Sequence, residues 1–258
     1  MSTLPGLLIL TLPFLYAQDL PPKMPIAAKP AFEVSTIKPA SPDRGFSIKV
    51  SGSGLVNTTS TSLFDLIKFA YDLHPSQIVG APGWLEDEKF DISAKPDTPG
   101  KPSTLQMKAM MQGLFADRFH LVFHREKKEM AAYVITEAKS GAKLEKNNSD
   151  ANGLMSFSGG GQQGMTVRNM TMSEFAFTMQ AGFLDRPVVD RTGFGNQRFD
   201  FILKWTPDSA TAADTPNNPD LPPDIFAALQ EQLGLKLQAT KAPVEVMVID
   251  RVEKPGEN

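Results

Sequence analysis

Residues 60–95, STSLFDLIKFAYDLHPSQIVGAPGWLEDEKFDISAK, read again without a gap at residues 169–204, NMTMSEFAFTMQAGFLDRPVVDRTGFGNQRFDFILK. At this offset of 109, Phe90-Asp91 falls on Phe199-Asp200, Lys95 on Lys204, Val79 on Val188, Leu63 on Met172 and Leu66 on Phe175. The likeness resumes at an offset of 114. There Phe119, Leu121 and Phe123 meet Leu233, Leu235 and Leu237, and Lys127 and Ile135 meet Lys241 and Ile249. A repeat of about 100 residues is too long for a solenoid unit, so each copy is expected to be a small domain with its own core.

Within the first copy, Leu63, Leu66, Ile67, Ala70 and Tyr71 make one apolar helical stripe, and Met172, Phe175, Ala176 and Met179 make its counterpart. Ser62 with Asp65, and Thr171 with Glu174, open these helices as capping boxes. A second helix follows Ser103, with Met107, Met110, Met111, Leu114 and Phe115 inward; its partner surrounds Ile225, Phe226, Leu229 and Leu233. Strands are expected at 32–37, 46–50, 89–95 and 198–204. The alternation of Phe119, Leu121 and Phe123, then Tyr133 and Ile135, reads as two closing strands, as does Leu233, Leu235, Leu237 with Val246, Val248 and Val252. The expected fold is therefore α+β: two tandem strand-helix-strand-strand-helix-strand-strand units related by a pseudo-twofold.

Composition divides the rest. Residues 1–17 carry no charge and are mostly apolar, with Ala17 before Gln18. The run is shorter than the roughly 20 residues of a membrane span and reads as a signal peptide. A Pro-rich linker (18–31), a first unit (32–138), a second linker (139–152), a second unit (153–252) and a tail (253–258) follow. Residues 206–223, rich in Pro, Asp and Asn, are an insertion in the second unit, and Gly-rich SGGGQQG reads as a flexible joint. A net charge of −3 gives no pull toward nucleic acid. The absence of cysteine excludes disulfides and thiolate chemistry.

Phe32-Glu-Val-Ser-Thr-Ile-Lys-Pro39, the Leu-Ile-x-x-Ala-Tyr helix (66–71), Gly80-Ala-Pro-Gly-Trp84 before Phe90-Asp91, Arg186-Pro-Val-Val-Asp-Arg-Thr-Gly193 and Lys241-Ala-Pro-Val-Glu-Val with Glu253-Lys-Pro resemble a large family of exported bacterial proteins from soil. That family is a domain of unknown function, in some members fused to membrane metallopeptidases of the penicillin-sensor type. The resemblance implies export and no particular activity. By element order, each half also resembles the short N-terminal domain of secretins and TonB-dependent receptors, which implies a protein partner in the envelope.

Chemistry-bearing motifs mostly dissolve on inspection. His120 and His124 form HxxxH, but on a strand they stand about 13 Å apart at roughly 3.3 Å per residue and cannot share a metal. Ser35-Thr-Ile-Lys38 matches SxxK without the helix start that chemistry needs. Asp190-Arg-Thr-Gly193 reads as a turn, because a protease dyad needs a second carboxylate and Ala81 stands at the equivalent place. Asp91 and Asp200 repeat, either as a ligand-binding pair or as acceptors for a neighbouring turn. Trp84, after Pro-Gly, is a surface anchor or a lid on the core.

No catalytic residue, metal or cofactor is expected. Trp84, Asp91, Asp190 and Arg191 remain as candidate ligand-binding residues. The expected function is a non-enzymatic binding module for an envelope protein or peptide. The alternative is a hydrolase whose site forms between the units, from His74, Asp91, Asp190 and Arg191.

Overall fold

The computed structural model describes residues 22–40, 45–148, 155–207 and 221–256. The expected signal peptide and residues 208–220 of the insertion lie outside them. The fold is α+β. The first half runs β1 (Phe32–Pro39), β2 (Ser47–Val50), β3 (Val56–Ser62), α1 (Leu63–Tyr71), β4 (Ile78–Val79), α2 (Trp84–Asp87), β5 (Lys89–Pro96), α3 (Thr104–Phe119) and β6 (Val122–Glu137). The second half runs β7 (Glu145–Asn147), β8 (Ser156–Gly159), β9 (Met165–Thr171), α4 (Met172–Gly182), β10 (Val188–Asp190), β11 (Arg198–Leu203), α5 (Ile225–Leu233) and β12 (Leu235–Arg251).

These strands form three four-stranded sheets, ordered β1-β5-β3-β2, β7-β11-β9-β8 and β10-β6-β12-β4. The third sheet joins the halves. Its antiparallel centre is β6 on β12, with Glu129 opposite Pro243, while β4 pairs in parallel with β12 and β10 with β6. Each short strand thus pairs with the long strand of the other half.

Ser62, Ser103 and Thr171 all cap their helices, but the box expected at Ser62 with Asp65 closes on one side only. Ser62 Oγ accepts from the Asp65 amide, and the full reciprocal box forms at Ser103 with Gln106 and at Thr171 with Glu174. Leu63, Leu66, Ile67, Phe115 and Phe119 are buried in one core, and Met172, Phe175, Met179, Leu229 and Leu235 in another. Each such side chain contributes about 1.5–3 kcal/mol when fully buried. The first core also takes in Met247 and Ile249 from β12, and the second takes in Tyr133 and Ile135 from β6. Neither half therefore owns its core, contrary to the expectation of two self-sufficient domains.

Four further expectations are corrected. The closing pair of strands in each half is one long strand, because His124-Arg-Glu-Lys-Lys-Glu129 contains no residue that favours a turn. Phe119 ends α3 rather than starting a strand, and His120 caps it in the left-handed conformation with φ 48°. Part of the second linker is strand β7. Residues 22–31 are packed on the first half, since Met24 is buried and the Gln106 amide donates to the Pro25 and Ala28 carbonyls. Strands β3 and β9 carry no clear signal in the sequence, because their Ser, Thr and Asn content hides the alternation. In β3 the inward threonines find partners within the sheet, the Thr61 hydroxyl lying 2.9 Å from Thr58 Oγ1 and 3.2 Å from the Phe90 carbonyl, while Thr58 Oγ1 accepts from the Ile92 amide.

Candidate functional site

The residues singled out by sequence do not assemble. Asp91 on β5 accepts from the Ser60 amide at 2.8 Å, and Asp200 on β11 accepts from the Asn169 amide at 2.7 Å. Ser60 and Asn169 have φ of 49° and 52°, and the β3–β5 and β9–β11 registers shift at these points. The repeated Phe-Asp is thus a clamp on a bulge, the second of the two readings. Burial works against the charge of Asp200, but Asn147, the Asn169 amide and Arg168 together hold its carboxyl below the usual range.

Asp190 Oδ1 accepts from the amide and hydroxyl of Thr192 at 2.9 and 2.7 Å, and its Oδ2 from Ser173 at 2.9 Å. That is a turn closed by an aspartate, followed by Gly193 at φ +78°. The Arg191 amide donates to Ile135 while its side chain is exposed. Trp84 starts α2, half-buried against the first core, with Lys254 Nζ 5.9 Å from its ring centre. His74 caps a single helical turn at Pro75–Gln77, and burial lowers its pKa. His124 bonds Asp250 and Glu126, which raise its pKa. Among the described residues no cluster of three His, Asp or Glu could hold a metal, and no helix is long and apolar enough to cross a membrane.

The structure instead gathers aromatic residues from three elements of the second half and one strand of the first. Helix α4 stops because the amides of Phe183 and Leu184 both turn back to the Met179 carbonyl at 2.9 Å. Asp185-Arg-Pro187 then leads to β10, where the Tyr133 amide donates to the Pro187 carbonyl. Trp205 follows β11, anchored by its amide on the Gly161 carbonyl. Phe226 stands in the first turn of α5, whose N-cap Asp224 accepts from the amides of Phe226 and Ala227. Together Tyr133, Phe183, Asp185, Trp205, Thr206 and Phe226 line most of a cleft of about 360 Å³, within the roughly 300–1,000 Å³ of ligand sites.

Its floor is Trp205, 3% exposed, meeting Phe183 edge-on at 5.1 Å between centroids; Tyr133 and Phe226 lie 5.8 Å apart. At the rim Phe183 and Phe226 are 38% and 40% exposed. The Tyr133 hydroxyl donates to Asp185 Oδ1 at 3.0 Å, and this bond holds the Asp185 carboxyl below the usual range. The Gly-rich stretch is no loose joint: a Cβ on Gly160 would stand 2.8 Å from the Phe183 ring, so glycine allows the backbone to pass under the cleft.

A second cleft, of about 410 Å³, runs between β1 and α3, and Arg118 Nη1 closes one end by donating to the Ser35 carbonyl and hydroxyl. Among its described lining residues Phe32 is the one aromatic, so it offers less to recognise a ligand. The aromatic cleft is the stronger candidate, and sequence reasoning missed it. Its four rings are scattered from Tyr133 to Phe226 with no local motif, and the Gly-rich stretch beneath them was the one available signal.

A family model described as a protein of unknown function (DUF3738) matches residues 64–252, from α1 to the end of β12. The chain belongs to the DUF3738 family. No curated protein and no solved structure matches it. The matched span holds every lining residue of the aromatic cleft and leaves out β1 to β3, which includes the strand wall of the other cleft.

Proposed function

We propose that this member of DUF3738 is an exported binding module that holds a peptide segment of an envelope protein in the aromatic cleft. The carrying observation is the exposure of Phe183 and Phe226 above Trp205 and Tyr133. Large rings at a cleft mouth cost free energy in water and contribute strongly when a partner covers them. The carboxylates point the same way, because Asp91, Asp190 and Asp200 already hold turns and bulges. Export rests on residues 1–17, which end in Ala17 before Gln18.

The scaffold in this reading is one unit used twice about an approximate twofold. Glu129 and Pro243, 114 residues apart, stand opposite each other at the middle of the β6–β12 pair, which supports an axis there. Further support comes from contacts repeated 109 residues apart: Lys89 with Asp65, and Arg198 with Glu174.

Selection of a displayed random peptide library on the purified protein tests the proposal. Enriched peptides are expected, and Phe183→Ala and Phe226→Ala should each weaken them by about 1–2 kcal/mol. Failure to enrich any peptide, or peptides indifferent to both variants, contradicts it. Hydrolysis of an ester, peptide or glycoside by the purified protein, lost on Asp91→Asn or His74→Ala, would replace it with an enzyme.

A further inference from the structure

One corner of the cleft carries chemistry that a purely apolar ligand would waste. Among the described lining residues Asp185 supplies the one carboxylate, and no lysine or arginine lines the cleft. Next in the chain, Arg186 lies outside that lining with its guanidinium carbon 5.5 Å from the Tyr133 ring centre and its Nε 3.4 Å from Asp185 Oδ2. The protein's own cation therefore already uses an aromatic face and this carboxylate. The pair is loose, with side chains 41% and 69% exposed, and exposed pairs of this kind hold weakly.

We infer that the cleft takes a basic side chain of the partner peptide, its ammonium or guanidinium held between the aromatic rings and the Asp185 carboxylate. This rests on the peptide-binding reading above and names the group that is recognised. A cation over tyrosine, tryptophan or phenylalanine is attracted by the negative ring face, more strongly as water is excluded. The carbon stem of lysine or arginine covers the exposed Phe183 and Phe226 rings, as such stems cover apolar surface elsewhere. A neutral ligand would add nothing to the Asp185 carboxylate beyond its bonds to Tyr133 and Arg186, whereas a ligand cation gains from its charge. The Tyr133 hydroxyl, donating to the same carboxylate, keeps it ionised and aimed.

The test uses the full chain carrying Trp84→Phe, which leaves Trp205 as the one tryptophan. Its fluorescence is titrated with Nα-acetyllysine amide and with Nα-acetylnorleucine amide, the neutral counterpart of similar shape. Lysine should bind on the order of tenfold more tightly. Asp185→Asn should abolish that preference, and Arg186→Ala should strengthen lysine binding severalfold by removing the internal competitor. A merely structural Arg186 would give no such gain. Norleucine binding as tightly as lysine, with Phe226→Ala still weakening both, overturns the inference and leaves the peptide-binding reading standing. No saturable response to either probe, together with no enriched library peptide, overturns both.

Discussion

Asp91 and Asp200 illustrate how a repeated polar residue can be structural without being a site. Each accepts from the amide of a residue held at positive φ, Ser60 or Asn169, where strand pairing slips by a bulge. A left-handed conformation costs a non-glycine residue roughly 1–2 kcal/mol, so the clamp has something to hold against. Asp200→Ala should therefore destabilise the protein by about 1.5–3 kcal/mol, the usual range for a hydrogen bond to a charged group, measured as a lower urea midpoint. The pH dependence has a definite sign. The folded carboxyl lies below the ordinary value of 3.8, so its stabilisation is complete above that value and fades as pH falls through the folded pKa. The gap between wild type and Asp200→Asn should narrow in that acid window; a gap constant with pH would contradict the assignment. Sequence made the repetition of this aspartate visible. It could not reveal the partner, because Ser60 and Asn169 are brought across by strand pairing.

Helix starts were the most legible elements, since a cap is decided by residues three apart. Thr171 and Glu174 close their box at 3.2 and 2.8 Å, and Arg198 adds an ion pair to Glu174 at 3.0 Å. Thr171→Ala should cost about 1 kcal/mol, readable as a lower thermal midpoint; an unchanged midpoint would mean that packing alone holds α4. Strand ends were less legible. The alternation across Phe119, Leu121 and Phe123 mimics a strand because the last turn of α3, its left-handed cap at His120 and the first residues of β6 all turn apolar groups to one core. The middle of β6 misleads for the opposite reason. Its charged residues are exposed and suggest a loop, yet each pairs with a residue of β12.

Across the whole molecule, the exchange of short strands makes the halves interdependent. Met247 and Ile249 fill the first core, and β4 has its place only beside β12. A fragment of residues 18–148 should accordingly show no cooperative unfolding by circular dichroism, and adding residues 153–258 should restore it; a fragment that melts cooperatively alone would contradict the shared-core account. The same topology explains why the cleft escaped sequence reading, for Tyr133 comes from β6 of one half while Phe183, Trp205 and Phe226 come from the other. Function in this account belongs to that cleft and not to the polar motifs. The most direct measurement is the map of backbone amide shifts in the ¹⁵N-labelled protein as the most enriched library peptide is added. The account predicts that the largest changes fall at Phe183, Asp185, Arg186, Trp205 and Phe226. Changes centred on Trp84, Asp91, Asp190 or Arg191, with the cleft unmoved, would contradict it.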